Sequence, residues 1–231
     1  MEPTTDRRGF VRLSVGAGVP LALGLSPSAA VGAGAPGTRE APDFFETVRS
    51  RRSVRSFLPT PVPEEDLLAI LDAARLAPTS GNQQPWVFLV IRDRTAIEAM
   101  REACVENSLS IRRSRGLPAS GEAEAQVRAS FEGYFSAPVY VVVLTDNESR
   151  YPTYNHWDGP LAAGYLMLAA RALGYGTVFV TDSIPEEITR DVLGIPGRYT
   201  RVCITPIGVP EAWPDSPEKK ELADFIVYEG F

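Results

Sequence analysis

Two short stretches hold most of the side chains able to do chemistry. "RRSVRSF", residues 51–57, gathers arginines and serines into one run. In an extended chain Arg51, Ser53 and Arg55 project one way and Val54 the other. Two guanidiniums flanking a hydroxyl suit a phosphate at one end and a delocalised anion at the other, because arginine stays charged and donates in a fixed fork. Taken alone, the same residues also fit a solvated basic patch at a helix end. The second stretch, "ARLAPTSGNQQPWVF" at residues 74–88, leaves an apolar helix through Pro78 and then presents Thr79, Ser80, Gly81, Asn82, Gln83 and Gln84. An ordinary loop needs one or two turn residues. This one offers hydroxyls and amides along a short backbone, as a binding surface does.

Other kinds of site are excluded by composition and spacing. His156 is the only histidine, and Cys104 and Cys203 form no CxxC, so no metal site is expected. There is no GxGxxG opening a helix and no GxxxxGK[ST]. A formal charge of -6 without a polybasic run argues against a nucleic-acid partner.

These residues need elements to position them. With 44% hydrophobic and 23% charged residues, the 231-residue chain can bury a sizeable core. "PDFFETVRS" spaces Phe44, Phe45 and Val48 as a helix, and "PEEDLLAILDAARLAP" is a clearer one. Its face is expected to be Leu67, Leu68, Leu71 and Ala74, with Glu64, Glu65 and Asp66 at the positive end of the dipole and Pro78 as its stop. "WVFLVI" reads as a strand, with Pro85 locking its start and Trp86 filling the core. "APVYVVVLTD", apolar on both faces, reads as a central strand. Residues 94 to about 135 are polar and partly helical, and are expected to form a lid or peripheral element. "DGPLAAGYLMLAARALGYG" is a long buried helix closed by Gly174, with Tyr165 and Met167 in its core face. "TVFVTD" is then a strand, "PEEITRDVLG" a helix and "RVCITPIGV" the last strong strand, with Cys203 buried. In an oxidising compartment the two cysteines are able to pair. The tail "DSPEKKELADFIVYEGF" is polar first and apolar last, as though it docks elsewhere. Alternating helices and strands imply an α+β or α/β layered fold.

The N-terminus reads as a targeting segment. Arg7 and Arg8 precede Phe10 and Val11, Arg12 follows, and the chain is then uncharged from Leu13 to Thr38. This resembles a twin-arginine export signal, with a weakly hydrophobic Gly/Ala-rich region and small residues at a cleavage point after Ala30 or Ala35. The expected organisation is a signal over residues 1–35, a linker over 36–43 and one domain over 44–231. The mature chain is expected to be periplasmic or extracellular, with no later stretch approaching the roughly 20 apolar residues of a membrane span.

"RRSVRSF" followed by "PVPEEDLLAILDAARLAPTSGNQQPWVFLV" resembles the nitroreductase-like FMN-dependent flavoproteins in motif identity, order and spacing. The resemblance runs over residues 44–231, through "LAARALGYGTVFVT", "ITPIGVP" and "KKELADFIVYEGF". It is weakest over residues 105–135. It implies an α+β fold with a mixed central sheet flanked by helices, and a homodimer with an exchanged C-terminal arm and one FMN in each of two interface clefts. Arg51, Arg52, Ser53, Val54 and Arg55 match the segment that grips the phosphate, ribityl chain and pyrimidine edge. Thr79, Ser80, Gly81 and Asn82 match a loop reaching the flavin from the other subunit. Gly81 permits close backbone approach there. Thr181 and Asp182 match the donors to flavin N5 and O4, although the same residues also suit the start of a helix. Lys219 matches the basic residue that closes on the phosphate, with Lys220 as a near alternative.

The implied chemistry is an electron or hydride transfer through flavin N5, in a ping-pong cycle, to nitroaromatic, quinone-like or related conjugated acceptors. Arg55 and Thr181 are the candidate catalytic residues, Arg55 stabilising charge near N1 and O2. The electron donor is NAD(P)H if the protein works in the cytoplasm; an exported enzyme needs another reductant or runs as a dehydrogenase. Alternatives on the same fold are reductive dehalogenation, flavin destruction and non-catalytic flavin binding.

Overall fold

The computed structural model describes residues 43–230, so the expected export signal and most of the expected linker lie outside the described residues. At its centre is a four-stranded sheet in the order β1-β2-β4-β3: β1 Trp86–Ile91, β2 Val139–Asp146, β3 Gly176–Thr177 and β4 Tyr199–Gly208. Every ladder is antiparallel, which corrects the expected mixed sheet; the parallel feature is an isolated bridge between Ser53 and Thr177. β2 is central as expected. Its alternate residues feed two cores, because successive side chains of a strand point to opposite faces. Tyr140, Val142 and Leu144 enter one cluster, and Val139, Val141 and Val143 enter the other.

Helices cover both faces. α2 (Glu64–Ala74) and α5 (Asn155–Ala172) pack on the Val141 side, and α3 (Arg94–Ser114) and α6 (Glu186–Leu193) on the Val142 side. In α2 the buried positions are Leu67, Ile70 and Ala74, while Leu68 is exposed. The expected face is therefore rotated, and the helix ends at Ala74, four residues before Pro78. α3 also departs from expectation: Ile97, Met100, Cys104, Val105 and Leu109 are buried, so it is a core helix and not a lid. Asp93 caps it, accepting from the Thr95 N–H at 3.0 Å. Within 94–135 only α4 (Glu122–Glu132) has no buried residue and stays peripheral. α1 (Phe44–Ser50) forms where its spacing predicts, but Phe44 and Phe45 are 63% and 62% exposed. Trp86 is half-buried because β1 is an edge strand, and Tyr165 is 42% exposed instead of lying in the core.

β3 is shorter than the run "TVFVTD" suggests: only Gly176 and Thr177 pair continuously, and Val180 rejoins β4 as a bridge to Ile204. Gly176 has a positional reason. A Cβ there would lie 2.7 Å from Val54 Cγ2 and 2.9 Å from Pro210 Cγ, so the absent side chain lets residues 53–54 lie against the sheet edge.

Both cysteines are buried and free, Cys104 in one cluster and Cys203 in the other, on opposite faces of the sheet. Burial pushes both thiols up to about 12, with Arg201 opposing. The neutral thiol is therefore favoured by the fold. Its contribution is complete below the unfolded value of about 8.5 and is lost as pH rises toward the folded value, at up to about 1.4 kcal/mol per pH unit for each thiol. Ellman's reagent at pH 8 should find no reactive thiol in the native protein and both after unfolding. Alkaline denaturation above about pH 8.5 should be blunted in a Cys104→Ala, Cys203→Ala double variant; a native disulfide would contradict this arrangement.

Candidate functional site

Backbone pairing fixes the "RRSVRSF" segment and leaves most of its side chains to a cleft. The Arg51 N–H donates to Thr47 O at 3.0 Å, ending α1, and the Val54 N–H donates to Thr177 O at 3.0 Å. Leu58 N–H then donates to Val209 O at 2.9 Å, and Glu211 N–H to Ser56 O at 3.2 Å. The Ser56 hydroxyl also donates to the Glu211 carboxylate, so the start of the C-terminal arm is tied to the same segment. Val54 is 1% exposed and packs in the core. Its side chain is therefore not offered to the cleft: the alternation that presents Arg51, Ser53 and Arg55 turns Val54 inward.

Arg51, Arg52, Ser53 and Arg55 line one cleft of about 960 Å³ with Val48, Arg49, Pro214, Asp215, Ser216, Pro217 and Lys219. Lys219, not Lys220, faces this space. Arg49, Arg51, Arg52, Arg55 and Lys219 thus confront a single carboxylate, Asp215. Among the described residues, no ion pair engages any of the five. Arg52 donates through Nη1 to Arg49 O at 2.6 Å and Arg51 O at 2.9 Å. Its Nε is buried with no hydrogen-bond partner. A buried donor on a charged group is costly to leave unmet.

The loop at 79–84 is built elsewhere in the chain and does not line the cleft. Three of its residues take left-handed backbone, Gly81 at φ 57°, Asn82 at 53° and Gln84 at 48°. Non-glycine residues seldom adopt that region, and such conformations persist only when neighbours enforce them. Here Asp158 does so. This buried carboxylate accepts from the Ser80 N–H at 3.1 Å and from Gln83 Nε2 at 2.7 Å. Gln83 also donates to Tyr151 O at 3.1 Å and accepts from the Tyr151 N–H at 2.7 Å. Gln83 is therefore an inward anchor, not part of a display surface. Thr79 accepts from the Gln84 N–H at 3.2 Å, while Gly81 and Asn82 stay exposed.

Thr181 and Asp182 occupy a third place. They line a cavity of about 410 Å³ with Pro185, Glu186, Glu187, Arg201 and Val202. The helix-start alternative fails, since Pro185 precedes α6 and neither side chain caps it. Arg201 organises this turn, donating to Thr181 O at 2.8 Å, Ile184 O at 2.6 Å and Thr189 Oγ1 at 2.9 Å. Burial lowers the Arg201 pKa below its ordinary value, against the pull of Glu186.

Residues 48–209 match the Nitroreductase family. The chain belongs to this family. The match contains every predicted site residue except Lys219. Among its relatives, a provisionally named NADH dehydrogenase/NAD(P)H nitroreductase of Archaeoglobus fulgidus is 33% identical over 175 residues, covering 73% of this chain and 86% of that protein. A 5,6-dimethylbenzimidazole synthase of Rhodospirillum rubrum is 30% identical over 182 residues, covering 74% and 84%. The fold matches that of an oxidised iodotyrosine deiodinase bound to FMN and 3-iodo-L-tyrosine, with TM-score 0.65, 24% identity and coverage of 82% and 100%. This nitroreductase-family chain thus distributes its candidate residues over three places: a basic cleft, a strained polar loop and an arginine-braced turn.

Sequence reasoning missed Asp158, Arg201 and Tyr134, which hold these places in shape. Asp158 had a readable signal, an acid inside an otherwise apolar helix pattern. Asp158→Ala removes the acceptor of two part-buried donors, so unfolding free energy should fall by about 1 to 3 kcal/mol. Amide exchange at Ser80 should quicken selectively; unchanged protection there would show that the loop does not depend on the carboxylate.

Proposed function

We propose that the chain is an FMN-dependent oxidoreductase acting as a homodimer. The observation that carries this reading is the cleft lined by Arg49, Arg51, Arg52, Arg55 and Lys219, none of which is in an ion pair among the described residues. A phosphate monoester fits that donor set, since arginine forks match its oxygens. Arg51, Arg52, Ser53 and Lys219 would hold the FMN phosphate and ribityl chain, and Arg55 the pyrimidine edge. Thr79, Ser80, Gly81 and Asn82 would approach from the other subunit, consistent with their separation from the cleft of their own chain.

Exposed apolar residues support the assembly. Phe44 and Phe45 on α1, Trp157 on α5, and Phe225 and Tyr228 on the arm all face outward. Exposed apolar side chains of this size mark an interaction face where they are contiguous. The arm, exposed along residues 211–230, would pack on the partner.

Bound FMN supplies two-electron chemistry through N5 and gathers negative charge near N1 and O2 when reduced. Arg55 presents a permanent cation to that edge, acting by electrostatic preorganisation and not by moving a proton. Thr181, its carbonyl held by Arg201, offers a hydroxyl donor from a fixed backbone. No triad or covalent enzyme intermediate is required. The acceptors would be nitroaromatic, quinone-like or related conjugated molecules, taking electrons after the donor product leaves. The paired Arg7 and Arg8 support export through the twin-arginine route, in which case the reductant is not cytoplasmic NAD(P)H.

The test has two half-reactions. Purified protein should show a flavin spectrum, and the anaerobically reduced protein should be reoxidised by a nitroaromatic or a quinone faster than free reduced FMN. A halogenated aromatic and the survival of the flavin itself belong in the same assay, since a deiodinase and a 5,6-dimethylbenzimidazole synthase are among the similar proteins. Bound flavin that no acceptor reoxidises would make this a flavin-binding protein only. Arg55→Ala should retain FMN, lower its midpoint potential and slow turnover; an unchanged potential removes Arg55 from its role.

A further inference from the structure

A charge stabilises a reduced ring by preorganisation only if it is already fixed when the electrons arrive. Arg55 is an exposed, rotamer-rich side chain, and ordering such a chain costs free energy. Something must therefore hold it. Its Nε donates to the Tyr134 hydroxyl at 3.0 Å, its Cζ lies 6.0 Å from the Tyr134 ring centroid, and Nη1 donates to Ser53 O at 3.2 Å. Nη2 makes no hydrogen bond among the described residues.

Tyr134 is itself held on a rigid turn. Gly133 sits so close to the arginine segment that a Cβ would lie 2.4 Å from Arg55 O. The Ser136 hydroxyl accepts from the Phe57 N–H at 3.0 Å and donates to Gly133 O at 2.8 Å, tying this turn to the same segment. Below it, the fully buried Tyr140 donates its hydroxyl to Tyr134 O at 2.7 Å. The phenol therefore reaches Arg55 from a backbone fixed at three points.

We propose that Tyr134 is a positioning residue, which orients the Arg55 guanidinium so that Nη2 is offered to the flavin edge. This rests on the FMN reading above. Tyr134 also lines a separate cavity of about 400 Å³ with Cys104, Phe131, Asp182 and Ser183. Tyr134 thus lines that space while its hydroxyl meets Arg55, which lines the basic cleft.

Tyr134→Phe keeps the ring and deletes the hydroxyl, so folding and FMN uptake should survive. The readout is the ratio of dissociation constants for reduced and oxidised FMN, obtained from midpoint potentials and oxidised-state titrations. In the wild-type background Tyr134→Phe should weaken reduced FMN relative to oxidised by about fivefold, the worth of one hydrogen bond. In the Arg55→Ala background it should change the ratio no further, because the two residues act as a unit. No change in the wild-type background, or an equal change in both backgrounds, overturns the inference while leaving the FMN reading intact. Wild-type protein that takes up no FMN overturns both.

Discussion

Like charges packed around one cleft need an opposite charge to complete them. Arg49, Arg51, Arg52, Arg55 and Lys219 are gathered by backbone pairing, not by attraction to acids, and their chain carries a net charge of -6. Charged side chains elsewhere do find partners: Arg128 bonds Glu102 and Glu124, and Arg190 bonds Glu186. Acids are plentiful, yet Asp215 is the one that lines this cleft. Mutual repulsion there works against folding. The arrangement becomes favourable once a dianion occupies it, so the site makes structural sense as one half of a complex.

The sheet supplies the rigidity that such a site requires. β2 is buried on both faces and joins two separate cores, and β4 beside it carries Arg201, the brace of the 181–184 turn. The basic segment attaches to the far edge through Thr177, and Gly176 and Gly133 are the gaps that let it lie close. The polar loop leans on Asp158 at the start of α5. Each functional stretch is thus a short irregular piece fastened to a regular element. That division lets loops carry chemistry on a scaffold that does not move.

Much of this was legible in the residues because it rests on period and punctuation. The apolar run of β2, the length of α5 and the alternation from Arg51 to Arg55 follow from side-chain direction alone. What escaped depends on distance along the chain. Tyr134 meets Arg55 across 79 positions, and nothing in "GYFSAP" announces the meeting. α3 was hidden by its charges: Ile97, Met100 and Cys104 repeat at helical spacing, but arginines and glutamates between them dilute the signal. Trp86 and Tyr165 were misplaced for another reason. Large aromatics suggest a core, yet an edge strand and an uncovered helix face leave them partly outside. The separation of the candidate residues into three places was equally invisible, because order in sequence does not say which stretches the fold brings together.

The central claim is that the arginine cleft recognises the phosphate of a flavin mononucleotide, and riboflavin differs from FMN by that group alone. Titrating apoprotein with each, at low and high salt, isolates the cleft's contribution. FMN should bind about 100-fold more tightly than riboflavin, the worth of one strong charge-assisted hydrogen bond, and the advantage should shrink as salt rises. Equal affinity for the two ligands, insensitive to salt, would contradict the account.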